Sequence, residues 1–93
     1  MEKVSKNKNR VIITEYIISQ IDKDGEIVDV LDHKDKKPEA IESAKHYVCD
    51  KVLAVVVEKV VTRYPMHLHN EPRTWDVVFT IGDETALKNG NWK

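Results

Sequence analysis

One cysteine, three glycines, three prolines and a single phenylalanine stand in 93 residues, and each scarcity closes off a class. Cys49 by itself permits neither an intrachain disulfide nor a cysteine-rich zinc site, so stability must come from burial, with self-association as a possible supplement. A reducing, cytoplasmic setting fits that usage. With Gly25, Gly82 and Gly90 as the whole glycine complement, a phosphate-cradling loop is excluded, and no Gly-x-Ser-x-Gly or zincin pattern is present. Charge of one sign is also missing: 15 Lys and Arg face 16 Asp and Glu, for a net charge of -1. That balance leaves room only for a localised phosphate-binding patch. The longest apolar run, Val52-Leu-Ala-Val-Val-Val57, falls far short of the roughly 20 residues of a membrane-spanning helix. The apolar residues after Arg10 are broken by Thr14 and Glu15 with no small-residue cleavage site behind them, so no secretory signal is expected.

What the chain has is branched aliphatic bulk. Thirteen Val, 8 Ile, 4 Leu and 1 Phe exceed the roughly 20% below which a highly charged chain tends to disorder. The size allows one domain. Residues 1–10 hold Lys3, Lys6, Lys8 and Arg10 against Glu2, which predicts a mobile basic arm. A solvated tail is the reading preferred over a nucleic-acid arm. A single α+β domain over residues 11–93 follows.

Val11 to Ile21 is β-branched and aromatic with apolar residues on both alternating sets, the mark of a central strand covered on both sides. Asp22-Lys23-Asp24-Gly25 supplies a hairpin turn, with Gly25 taking positive φ, and Glu26 to Leu31 runs back as the second strand. A calcium loop is not expected, because the position six residues after Gly25 is Leu31 where a bidentate Glu is needed. Asp32 to Lys37 reads as a charged connector. Pro38, Glu39 and Glu42 open a helix, and Ala40, Ile41, Ala44, Tyr47 and Val48 form its apolar stripe, ending near Asp50. Val52 to Tyr64 is too rich in valine to prefer helix and gives the third strand. Pro65 to Arg73 is a long loop. Thr74 to Ile81 is the fourth strand, with Trp75, Val77, Phe79 and Ile81 expected on one side. Asp83 to Lys88 has the makings of one helical turn. The sum is β-β-α-β-β: a four-stranded antiparallel sheet in the order 2-1-3-4 with one helix on one face. Its other face needs a cover, from the C-terminal segment with Leu87 and Trp92, from a second copy in a homodimer, or from another partner.

Catalytic chemistry finds little footing. His67-x-His69-x-Glu71 resembles a metal pattern but lacks a third ligand at fixed spacing, since His33 and His46 lie elsewhere in the chain, so no metal or other cofactor is expected. Cys49, after Val48 on the apolar stripe, reads as a small buried hydrophobe and not as a nucleophile paired with His46. Acid pairs such as Asp22 with Asp24, or Asp32 with Asp35, read as solvated surface. The residues singled out for partner binding are Arg63, Tyr64, Met66, His67, Leu68, His69 and Arg73, because a long loop on a small rigid scaffold is where function concentrates.

The run Glu15-Tyr-Ile-Ile-Ser-Gln-Ile-Asp-Lys-Asp-Gly-Glu-Ile-Val-Asp-Val30, the helix Glu39-Ala-Ile-Glu-Ser-Ala-Lys45 and the closing Ile81-Gly-Asp-Glu-Thr-Ala-Leu-Lys-Asn-Gly-Asn-Trp92 resemble small proteins of phages and other mobile elements. The resemblance implies a class, compact accessory proteins that bind a host or defence component, including inhibitors of the anti-CRISPR kind. It carries over no functional residue. The expectation is therefore a non-enzymatic protein-binding module. The alternative is a nucleic-acid-binding accessory protein using the basic arm and a patch of Lys59, Arg63, Tyr64 and Arg73, with Tyr64 or Trp75 as a stacking platform.

Overall fold

Val11–Ile21, in which all but Glu15, Ser19 and Gln20 are β-branched or aromatic, forms β1, and the chain reverses at once through Asp22. The Asp22 carboxylate oxygen Oδ1 accepts the backbone N–H groups of Asp24 and Glu26, each at 2.9 Å, while Gly25 sits at φ 83°. An aspartate that ties down its own turn and a glycine free of a Cβ make this loop tight. Strand β2 spans Ile27–Lys34, so the segment expected to be a charged connector continues the strand through Asp32, His33 and Lys34. Two register shifts against β1, between Ile18 and Ser19 and between Gln20 and Ile21, mark bulges, which let a polar-rich edge strand follow its neighbour's twist.

The computed structural model describes residues 10–90; the expected basic arm, apart from Arg10, and Trp92 lie outside the described residues. After β2 come helix α1 (Lys37–Tyr47), strand β3 (Ala54–Tyr64), a 3-10 turn (Met66–Leu68), strand β4 (Arg73–Gly82) and the short helix α2 (Glu84–Asn89). The four strands form one antiparallel sheet in the order β2-β1-β3-β4, the α+β arrangement expected from the pattern. Pro38 occupies the first turn of α1 with Glu39 beside it, where a missing N–H costs nothing and an acid complements the helix dipole. The helix stops at Tyr47, earlier than expected. Cys49 and Val52 then exchange backbone hydrogen bonds of 3.1 and 3.2 Å, and Cys49 is exposed. The expectation of a buried cysteine fails because α1 ends before its apolar stripe reaches that residue.

Each sheet face has its own core. On one face α1 lays Ala40 and Ala44 over Ile18, Val55 and Val57, with Tyr16, Leu31, Tyr47, Phe79 and Ile81 packed around them; alanines let the helix backbone approach the sheet closely. On the other, Ala86 of α2 seals Ile21, Ala54 and Val56, flanked by Val77 and Leu87. Asp83 caps this helix, its Oδ2 accepting the Ala86 N–H at 3.0 Å, and Asn89 anchors the far end by donating from Nδ2 to the Lys23 carbonyl at 3.0 Å. The C-terminal segment with Leu87 thus supplies a cover for part of the second face. Strand β4 corrects a further expectation. A register shift opposite Val57 and Glu58 makes Val78 an extra residue, so Trp75 and Val77 lie on the α2 face while Phe79 and Ile81 lie on the α1 face.

Candidate functional site

Both helices sit at the same end of the sheet. They pack against the end of β1 and the start of β3, around Ile18, Ile21 and Ala54 to Val57. Beyond them the strands run on, with Val11 paired to Tyr64, Ile12 to Arg63, Ile13 to Thr62 and Thr62 in turn to Arg73. Of eleven exposed large apolar side chains in the described residues, seven lie at this bare end: Val11, Ile12, Ile13, Tyr64, Met66, Leu68 and Trp75. Leu68 is 59% exposed and Trp75 52%. Scattered apolar exposure is ordinary, whereas a contiguous patch on a small domain marks an interaction surface.

All seven residues singled out from the sequence reach this end, but on different surfaces. Tyr64 is joined to Pro65 by a cis peptide bond, and the 3-10 turn that follows is closed by the Leu68 N–H donating to the Pro65 carbonyl and the His69 N–H to that of Met66, both at 3.2 Å. This turn presents Met66, His67 and Leu68 to solvent. The loop's return is fixed by the Arg63 N–H, which donates to the Pro72 carbonyl at 2.7 Å. Arg63 lies opposite Ile12 on the α1 face and directs Nη1 toward the Glu71 carbonyl at 3.5 Å. Arg73 lies on the other face, its Nε donating to Thr62 Oγ1 at 3.2 Å. Sequence reasoning missed Val11, Ile12, Ile13 and the exposure of Trp75, since strand-forming residues look alike whether or not a helix reaches them.

Strand alternation also sorts the charges. On the α2 face, Glu15 and Glu58 stand among Ile17, Val60 and Trp75, with Arg73 further toward the bare end. Burial pushes the Glu58 carboxyl above its ordinary range. Lys59 and Arg63 project to the α1 face. The cations therefore do not form one stripe, because neighbouring residues of a strand point to opposite sides. Near α1, the His33 N–H donated to Asp32 at 2.8 Å holds that carboxyl below its usual range, with Lys34 at 3.4 Å assisting.

Two shallow grooves flank the helical end. One, of about 460 Å³, is lined by Lys34, Glu39, Glu42, Ser43, His46 and Tyr47; it mixes acids and bases without an isolated reactive group. The other, of about 330 Å³, runs along the hairpin turn beside Lys51 and Leu53. Among the described residues no three His, Cys, Asp or Glu side chains converge as metal ligands, and no helix is long and apolar enough to cross a membrane. Comparison of the chain with protein-family models, with curated proteins and with solved structures finds no match.

Proposed function

We propose that this chain is a small non-enzymatic protein-binding module whose partner docks on the bare end of the sheet, in the manner of a phage-type inhibitor or adaptor of a host or defence component. One observation carries the reading: seven exposed apolar side chains gather at one end of a scaffold whose two helices cover only the other. Met66 and Leu68 on a hydrogen-bonded turn offer apolar anchors held at low conformational cost, and Tyr64 and Trp75 are of the aromatic kind that dominates binding energy. Arg63, His67, His69 and Arg73 form a polar rim around them. The division of Arg63 and Arg73 between opposite faces, with Glu15 and Glu58 on the same face as the latter, favours a protein over a nucleic acid, because phosphates along a strand need cations on one side. Alanine at Met66, His67, Leu68 and Arg73 together is expected to weaken partner binding at least about a hundredfold while leaving the circular dichroism spectrum intact. Unchanged affinity in a folded variant refutes the assignment of the loop.

A further inference from the structure

Beyond the reach of α2, two carboxylates interrupt the apolar surface of the face that helix partly covers. The strand pairing sets Glu15 opposite Val60, Glu58 opposite Ile17, and Trp75 on the far side of Val60. Glu58 is therefore the diagonal neighbour of Glu15 on one side and of Trp75 on the other, at the roughly 7–8 Å usual for diagonal pairs on a sheet. Both glutamates are half-buried, and among the described residues neither makes a salt bridge. Partial burial already pushes the Glu58 carboxyl above its ordinary range, so the free chain holds like charges close together in a setting that disfavours charge. Arg73 does not relieve them: it stands one row beyond Trp75, opposite Thr62, and its Nε donates to Thr62 Oγ1 at 3.2 Å. The Val78 bulge adds the third element. Uniform alternation along β4 would send Trp75 to the α1 face; the bulge turns the indole, 52% exposed, to the side of the carboxylates. Bulges re-aim side chains in this way beside functional surfaces.

We propose that this surface takes an arginine side chain of the partner protein, its guanidinium held between the Glu15 and Glu58 carboxylates and stacked on the Trp75 indole, with apolar neighbours of that arginine resting on Ile13 and Ile17. The inference rests on the reading of the bare end as a protein-docking surface and names the chemistry of what docks there. Charge complementarity selects the occupant. Two unpaired carboxylates on an apolar bed repel phosphates, and a second copy laid on the same face brings two further carboxylates. Arginine fits better than lysine, because a planar, weakly hydrated guanidinium donates to two carboxylates at once and stacks on an indole, whereas an ammonium is a strongly hydrated point charge. A single arginine with short apolar flanks makes few contacts, so by itself it binds weakly, with Kd on the order of 1 mM.

The test titrates the capped tripeptide acetyl-Leu-Arg-Leu-amide into the isotope-labelled full chain, followed by proton–nitrogen correlation NMR. The same peptide with citrulline, the uncharged isostere of arginine, runs beside it. Saturable shifts are expected at the Glu15, Ile17, Glu58 and Val60 amides and at the Trp75 indole N–H. Citrulline is expected to raise Kd at least about tenfold, and Glu15→Gln, Glu58→Gln and Trp75→Leu to raise it at least about threefold each. Spectral dispersion identifies any variant that fails to fold, and Trp75→Leu, at a position already exposed, keeps a folded disruption at hand. No saturable shift up to about 20 mM peptide, equal binding of the citrulline peptide, or unchanged affinity in the folded variants overturns the proposal. So does a dependence of the same resonances on protein concentration without peptide, which assigns the face to a second copy. Their response to Lys3→Gln, Lys6→Gln, Lys8→Gln in the full chain assigns it to this chain's own cations and overturns the proposal as well. The Met66–Leu68 turn takes no part in the titration, so failure here while the loop substitutions still weaken partner binding removes the arginine and keeps the docking surface.

Discussion

Ile18 and Ile12 lie on the same strand and the same face, six residues apart, yet α1 reaches only one of them. Ile18 is 0% exposed against Ala40, Ala44, Val55 and Val57, whereas Ile12 is 66% exposed. Replacing Ile18 with Ala removes three carbons, about 2.4 kcal/mol of transfer free energy at roughly 0.8 kcal/mol each. The cavity left in a well-packed layer brings the cost to about 3–4 kcal/mol. A chain of this length has about 5–14 kcal/mol in total, so the variant loses a large share of its stability, and its melting temperature falls by about 15 °C or more. Ile12→Ala loses little burial, and its cost stays below about 1 kcal/mol, mostly the lower strand preference of alanine. Urea denaturation of both variants at low protein concentration, followed by circular dichroism, reads the contrast as a difference between midpoints at constant slope. Equal losses would refute the claim that α1 leaves the Val11 end of the sheet bare.

Further outcomes follow from single contacts. Gly82→Ala is expected to destabilise the domain by about 3 kcal/mol or more in urea, because φ is 122° there and a Cβ would run into the Leu53 carbonyl oxygen and the Ala54 backbone. Asp83→Ala removes the acceptor for the Ala86 N–H and costs about 1 kcal/mol by the same assay, with faster amide exchange at Ile21 and Val56 as α2 loosens. The Glu58 carboxyl, raised by burial, contributes stability below the ordinary value of 4.5 that is lost as pH rises through its folded value. Glu58→Gln therefore raises the urea midpoint at neutral pH, and the advantage over wild type disappears below the unfolded value. Asp32 has the opposite sign: its carboxyl, lowered chiefly by the His33 N–H, contributes stability above 3.8 that is lost as pH falls through the folded value. Asp32→Asn thus narrows its gap to wild type in acid.

The sheet order and the single large helix were legible because their signals are local and strong: valine-rich runs, a self-tying Asp22 turn and a proline-led amphipathic stretch. Element ends were less legible. Asp32, His33 and Lys34 look like a connector, but an edge strand next to an apolar one tolerates polar residues, and bulges carry it on. The Val78 bulge, which sends Trp75 and Phe79 to opposite faces, depends on how β4 meets β3, and a uniform alternation count cannot detect it. The Pro65 to Arg73 segment is legible as a long connection from its prolines and polar residues. The exposure of its apolar surroundings at Val11, Ile12, Ile13 and Trp75 depends on where the helices stop, which the strand residues themselves do not encode.

The reading of the bare end as a protein-docking surface is tested most directly by affinity capture from cells of the natural host, using tagged wild type beside a folded Met66→Ser, Leu68→Ser variant, each with and without nuclease. The account predicts a stoichiometric protein that wild type retains after nuclease treatment and the variant loses. Equal retention by the variant, or loss of all bound material to nuclease, would contradict it.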